Sequence, residues 1–291
     1  LPEEMKHLKL EGLGLEDTDL EKVKRNMLKT TGLFLVTGPT NSGKTTTLYS
    51  ILNLLNTPEV NIATIEDPIE YGMDRINQTQ INPKVGLTFA TGLRSLLRQD
   101  PNIIMVGEIR DLETAEMTIQ AALTGHLVLS TVHTNSAILT IPRLLDMGVE
   151  PFLLASTINI IIAQRLVRRI CRRCIEEYSV GLDILEPILT VIDPNEVRRV
   201  LNTEIIKQTN KVHLARGQGC EDCNNSGYSG RIGIYETLEI DDKIRDLILH
   251  RASTQEIHDL ALQKGMTSLL TDGLLKAVSG VTTIEEVLRV V

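Results

Sequence analysis

The stretch Gly38-Pro39-Thr40-Asn41-Ser42-Gly43-Lys44-Thr45-Thr46 sets two glycines five positions apart and follows the second with a lysine and two hydroxyl side chains. Glycine lets a loop turn its backbone N–H groups toward a phosphate chain, and a helix opening at the end of the loop adds partial positive charge there. In this pattern Lys44 reaches the outer phosphates of a nucleotide, and the Thr45 hydroxyl ligates Mg2+. A glycine-rich turn with no ligand is the bland alternative, and the complete pattern between a strand and a helix argues against it. Nucleotide binding leaves open whether the chain is a kinase, a switch or a motor, because loops of this kind serve all three.

Other acidic and imidazole groups could complete such a site. "TIEDPIE" places Glu66, Asp67 and Glu70 at the end of an apolar run, and Glu66 is the candidate general base that orients and deprotonates an attacking water. A solvated acidic turn closed by Pro68 is the competing reading. "IIMVGEIRD" ends in Gly107-Glu108, where a carboxylate supports Mg2+, although aspartate is more usual at this place in phosphate-loop proteins. His126 and His133 stand seven residues apart in "TGHLVLSTVHTN". Each is a candidate to sense a phosphate or to be a satisfied structural residue.

A second constellation is Cys171-x2-Cys174 and Cys220-x2-Cys223, with 45 residues between the pairs. Two such pairs offer four thiolates to one ion, the arrangement tetrahedral Zn2+ prefers. Disulfides are the main alternative, but a nucleotide-using protein is expected in the cytosol, where thiols stay reduced. A thioredoxin-like redox role needs one pair rather than two.

The elements that must hold these groups alternate. "LFLVTG", "NIATIED", "NIIMVGE" and "LVLSTVHT" read as strands, while Lys44 to Leu55, "GLRSLLRQ" and "LETAEMTIQAAL" read as helices. That alternation predicts an α/β fold with a parallel sheet, and ligands at the carboxyl ends of its strands. The domain reading is a linker with the remnant of an upstream domain over 1–30, a phosphate-loop core over 31–165, a tetracysteine module over 166–240 and a C-terminal helical subdomain over 241–291. In the last, Ser253 with Glu256 and Thr282 with Glu285 have capping-box spacing.

The formal charge of −8 argues against a surface built wholly for nucleic acid. "QRLVRRICRR" nevertheless sets five arginines beside the first cysteine pair, a pattern that fits nucleic acid, an acidic neighbouring subunit or anionic lipid. Few aromatic residues are present to stack bases, so nucleic acid is the least favoured of the three. The longest apolar candidate, "INIIIA", is far shorter than the roughly 20 residues of a membrane helix, and a soluble chain is expected. A start at Leu1 suggests an upstream region.

Taken together, "GPTNSGKTTTLYSIL", "TIEDPIEY", "GLTFATGLRSLLRQDP", "VGEIRDLETA", "AALTGHLVLSTVHTN" and "MGVEPFLLASTINIIIAQRL" resemble the type II/type IV secretion superfamily of ATPases. The resemblance implies a RecA-like P-loop NTPase core and maps the family's Walker A, Asp box, atypical Walker B and His box to 38–45, 66–70, 107–108 and 126–133. It implies catalytic roles for Glu66, Glu108, His126 and His133, and nucleotide contacts across Gly38, Pro39, Thr40, Asn41, Ser42, Gly43, Lys44, Thr45 and Thr46. Asn41 replaces the usual third glycine of the loop, and asparagine tolerates the left-handed conformation better than most residues.

The tetracysteine module followed by "GYSGRIGIYE" resembles the pilus-extension and type II secretion branch rather than retraction motors. The implied protein is a cytoplasmic hexameric motor held at the inner membrane through a platform protein, touching pilin or pseudopilin only indirectly. The family's N-terminal domains, which supply adenine contacts and arginine fingers, do not fit before Thr31, so weak activity and poor hexamer formation are expected of these residues alone. Arg75, Arg94, Arg98 and Arg110 remain as charge-neutralising candidates or structural ion-pair partners. The rival readings are a nucleic-acid translocase or helicase with a zinc module, and a nucleotide-binding scaffold that hydrolyses nothing.

Overall fold

The computed structural model describes residues 9–190, 192–201 and 211–291. The chain divides into two compact units, one of Leu1–Ala163 with Thr237–Ala261 and one of Gln164–Glu236 with Leu262–Val291.

The first unit begins with helix α1 (Asp17–Met27) and then alternates: β1 (Gly32–Thr37), α2 (Lys44–Leu55), β2 (Ile62–Glu66), β3 (Ile76–Gln80), α3 (Phe89–Leu96), β4 (Ile103–Val106), α4 (Leu112–Leu123) and β5 (Leu127–Val132). Two short helices, α5 (Thr140–Asp146) and α6 (Pro151–Thr157), lead into β6 (Ile158–Ile170). The strand order is β3-β2-β4-β5-β1-β6, continued at the edge by β9 (Tyr228–Glu239). All pairings among β1 to β6 are parallel. Every residue of β1, β2, β4 and β5 is buried, as expected of a parallel sheet covered on both faces.

Strands β3 and β6 escaped the sequence reading for opposite reasons. "INQTQ" in β3 is polar, because that strand lies at the sheet edge. The "INIIIA" run is the buried start of the thirteen-residue β6, and no helix among the described residues is long and apolar enough to cross a membrane. Helices α3 and α4 are closed at their starts by side chains, Thr88 accepting from Thr91 N and Asp111 from Thr114 N. Helix α2 starts at Gly43 with no side-chain cap.

The second unit holds an antiparallel ribbon of β7 (Ile175–Gly181) and β8 (Lys211–Gly217), helices α7 (Glu186–Leu189) and α8 (Pro194–Leu201), and two of the C-terminal helices. Its core gathers Leu185, Val200, Val212, Leu214, Leu274 and Val278. The C-terminal helices do not form a piece of their own. Helix α9 (Asp242–Leu249) joins the first unit, where Arg245 Nε donates to Ala155 O at 3.1 Å. After α10 (Thr254–Gln263), helices α11 (Leu269–Val278) and α12 (Ile284–Val290) join the second.

The Ser253–Glu256 capping box forms, with Ser253 N donating to Glu256 Oε2 at 2.8 Å and Glu256 N to Ser253 Oγ at 3.3 Å. The second helix start is capped one residue further on, by a side-chain cap without the reciprocal half of a box. Thr283 caps α12 by accepting from Glu286 N, while the Thr282 hydroxyl donates to Arg168 O at 2.8 Å. Adjacent threonines followed by adjacent glutamates satisfy the spacing either way, and the Arg168 carbonyl decides the register. Of the 1–30 segment, 1–8 lie outside the described residues; the remainder packs rather than links, with Leu10 and Val23 fully buried and Arg25 paired with Glu239 at 2.6 Å. Of the 166–240 module, 191 and 202–210 also lie outside them.

Candidate functional site

Because β2, β4, β5 and β1 are parallel neighbours, their carboxyl ends fall on one edge of the sheet. The phosphate loop leaves β1 after Thr37, Glu66 ends β2, Glu108 follows β4 and His133 follows β5. Short hydrogen bonds tie these ends together. Gly107 N donates to Ile65 O at 2.8 Å, the Thr131 hydroxyl to Gly107 O at 2.8 Å, and the Thr37 hydroxyl to Val132 O at 2.8 Å. Thr134 N in turn donates to the Thr37 hydroxyl oxygen at 3.0 Å.

In the loop, Asn41 has φ 65° and Gly43 has φ 88°, both left-handed. The asparagine therefore adopts the conformation expected of it at the position usual for glycine. Amides in the first turn of a helix lack an intrahelical acceptor, and an uncapped start such as that of α2 presents them to an anion. Lys44 is buried, its ammonium donating to the carbonyls of Gly38 and Pro39 at 2.9 Å each, and Thr45 lies beside it in the first turn. This loop is chemically suited to hold a phosphate chain, and a hydroxyl in the first turn is a group that could take part in holding its Mg2+.

Glu108 is flanked by two cationic or neutral donors. Arg110 donates to its Oε1, and His133 Nε2 lies 3.0 Å from its Oε2. Arg110 also reaches Asp67 at 3.8 Å, bridging the ends of β4 and β2. Burial pushes the Glu108 carboxyl up, but the Arg110 hydrogen bond and charge, with His133, outweigh it and hold the group below its ordinary value. Beside this network opens a cleft of about 340 Å3 lined by Glu108, Arg110, His133, Arg143 and Met147.

Glu66 is not part of a solvated turn. It is 2% exposed, and its carboxylate accepts from three side chains on three elements. The Tyr49 hydroxyl on α2 donates to Oε2, while the Thr64 hydroxyl at 2.5 Å and Gln78 Nε2 at 3.2 Å share Oε1. Nothing in the sequence marked Tyr49, Thr64 or Gln78. The only available signal was that Thr64 precedes Glu66 by two residues and so shares its face of the strand.

The histidines separate. His126 stands at the opposite, amino end of β5, where its ring nitrogen contacts Ala121 O at 2.9 Å and its own carbonyl accepts from Gly32 N at 3.1 Å. Seven residues of extended chain place it about 23 Å from His133. Sequence spacing paired the two, but a strand carries its ends apart, and only His133 joins the phosphate-loop edge.

The four cysteine sulfurs meet in the second unit, all within 4.8 Å of one another. Sγ atoms of Cys171 and Cys220 lie 3.8 Å apart, those of Cys174 and Cys223 3.8 Å, and those of Cys220 and Cys223 3.7 Å. A tetrahedron with Zn–S bonds of about 2.3 Å has edges of about 3.8 Å, whereas a disulfide needs about 2.05 Å. The donor set and spacing fit Zn2+. Backbone amides of Gly219 (to Cys174), Cys220 and Gly227 (both to Cys223) donate to sulfur at 3.2–3.3 Å. Burial raises the Cys223 thiol, but the amides of Cys220 and Gly227 outweigh it and bring it down to about 6. Gly217 and Gly227 make the knuckle possible, since a Cβ on Gly217 would sit 1.9 Å from Gly227 O.

The arginine run beside the first pair disperses into the second unit. Arg165 is buried in the field of Glu236, Arg168 pairs with Glu286 at 2.6 Å and Arg173 with Asp222 at 3.0 Å. Three of the five arginines are thus engaged with carboxylates of their own unit.

A parallel sheet carrying a phosphate loop and acidic residues at its carboxyl edge, with a tetracysteine cluster and C-terminal helices, defines a RecA-like P-loop protein. The family model described as "Type II/IV secretion system protein" matches residues 1–289, and the chain belongs to that family. It is 50% identical over 283 residues to "Type II secretion system protein E" of Pseudomonas aeruginosa, covering 97% of this chain and 53% of that protein. It is 49% identical over 279 residues to "Type IV pilus assembly ATPase PilB" of Thermus thermophilus, covering 96% of this chain and 30% of that protein. Among solved structures, the ADP-bound crystal structure of the pilus retraction motor PilT superposes with a TM-score of 0.70 at 30% identity, covering 98% of this chain and 67% of that one. The chain thus spans about half the length, or less, of the two curated relatives.

Proposed function

We propose that the chain is the motor region of a Mg2+-dependent ATPase that powers assembly of a type IV pilus or a type II secretion pseudopilus. The observation that carries this reading is the convergence of the phosphate loop, Glu66, Glu108 and His133 on one sheet edge. Two relatives near 50% identity, named for type II secretion and for pilus assembly, support the choice of process.

In this reading Lys44 and the first-turn amides of α2 hold the outer phosphates, and residues Gly38 to Thr46 wrap the chain of phosphates. Thr45 and Glu108 would hold Mg2+, which neutralises phosphate charge when bound. A carboxylate offers about four lone-pair sites, and among the described residues three donors occupy all but one of those on Glu66. The remaining one, on Oε2, accepts the proton of the attacking water. His133 senses the γ-phosphate through its contact with Glu108, and His126 has no part in this step. The four cysteines hold one structural Zn2+, pinning the β6–β7 and β8–β9 turns together.

Hydrolysis becomes motion in a ring of identical chains, six in number by family resemblance, at the cytoplasmic face of the inner membrane. The ring acts on a membrane platform protein, and through it on pilin or pseudopilin.

The test is steady-state Mg-ATP hydrolysis against protein concentration, with and without DNA, for the native chain, Glu66→Gln and Lys44→Ala. Specific activity should rise with concentration and ignore DNA. Glu66→Gln should keep nucleotide binding while losing at least about 100-fold in turnover, and Lys44→Ala should lose binding. Normal turnover by Glu66→Gln would remove the general base, and DNA-dependent turnover would move the chain to the translocases.

A further inference from the structure

The hydrogen bond from Tyr49 to Glu66 joins two parts of the site that the chain otherwise keeps apart. Tyr49 sits on α2, five residues after Lys44, so it lies about 7.5 Å along the axis of the helix whose first turn faces the phosphates. Its side chain is 1% exposed, and its ring meets that of Tyr71 edge to face at 4.8 Å between centroids. Gln78 Nε2 lies 3.4 Å from the same hydroxyl and donates to Tyr71 O at 3.1 Å, closing a buried network around the carboxylate.

Burial, then the hydrogen bond from the hydroxyl to Glu66, push the Tyr49 phenol above its ordinary range, so it remains an O–H donor throughout the working pH. Thr64 and Gln78 both act on Oε1. Among the described residues Tyr49 alone donates to Oε2, which leaves that oxygen a spare lone pair there. A donor fixed on one lone pair of an oxygen sets the direction of the other.

We propose that Tyr49 is a positioning residue for ATP hydrolysis: anchored on the phosphate-loop helix, it aims the free lone pair of Glu66 Oε2 at the attacking water. The inference rests on the reading of Glu66 as the general base. It makes α2 a rigid connection, so that phosphates seated at its first turn and the base acting on them keep one mutual geometry.

The experiment is a double-mutant cycle of Tyr49→Phe and Glu66→Gln in the complete protein, reading kcat, KM for Mg-ATP and nucleotide Kd. The phenylalanine keeps the ring packing on Tyr71 and removes only the donor. Tyr49→Phe should lower kcat about 10- to 100-fold, the scale on which misplaced catalytic groups act, with KM and Kd within about twofold of native. The double variant should be no slower than Glu66→Gln alone, because the tyrosine works only through that carboxylate.

Native kcat in Tyr49→Phe, with Glu66→Gln inactive, would overturn the inference and leave the base in place. Additive losses in the double variant, or loss of Kd together with kcat, would assign Tyr49 to the packing of α2 and overturn it as well. Normal turnover by Glu66→Gln would remove the base and the inference with it.

Discussion

Glu286 offers a prediction whose size follows from the structure. Its carboxylate, 2% exposed at the start of α12, accepts from Arg168 N at 3.0 Å and Arg168 Nη2 at 2.6 Å, and from Arg289 Nε and Nη2 at 3.0 and 2.9 Å. Burial raises this carboxyl, but the two guanidinium groups and the backbone amide overcome it and hold the pKa at about 2 rather than 4.5. At about 1.4 kcal/mol per pH unit, the difference sets an upper figure of about 3.4 kcal/mol. Both arginine side chains are about half exposed, at 48% and 54%, so solvent screening reduces it. A working value is about 1.5–2 kcal/mol.

The folded-state pKa is depressed, so this stability is present above about pH 4.5 and is lost as pH falls toward about 2. Glu286→Gln mimics the protonated form. Urea unfolding of the second unit should show the variant less stable by about 1.5–2 kcal/mol at pH 7, with the gap narrowing by roughly 40% at pH 3.5. Running both proteins under the same zinc conditions at each pH cancels metal loss from the difference. A gap that stayed constant between pH 7 and 3.5, or was absent at pH 7, would refute the assignment of stability to the charged clamp.

Protein purified without chelators should hold one zinc per chain by metal analysis, and Cys220→Ser should lose most of it. Two disulfides found by mass spectrometry in native, zinc-free protein would refute the metal reading. Asn41→Ala should weaken nucleotide binding by about five- to thirtyfold in calorimetry, the effect of about 1–2 kcal/mol for alanine in a left-handed position. Asn41→Gly should bind at least as tightly as the native loop, and native affinity in the alanine variant would show that this conformation is not required.

Most of what the sequence revealed was local. Strands β1, β2, β4 and β5 announced themselves as short β-branched runs, and α2 and α4 as helical patterns, because backbone preference and capping act within about four residues. Polar β3 carries no such signal, and the thirteen-residue β6 has a length and apolar content that fit several elements. The displaced cap at Thr283 shows the same limit at single-residue scale: two registers were equally good until the carbonyl of Arg168 took Thr282.

The sequence by itself determined the phosphate loop, the carboxylates and the paired cysteines, since each of these chemistries depends on residue types at fixed short spacings. Tertiary structure decided which groups meet. It buried Glu66 beneath donors from α2, β2 and β3, sent His126 to the far end of β5, brought Cys171 within 3.8 Å of Cys220 across 49 residues, and paired Arg168 with Glu286 across 118. Such contacts depend on strand order and packing, which arise from the burial of the whole chain and leave no mark in any short window of it.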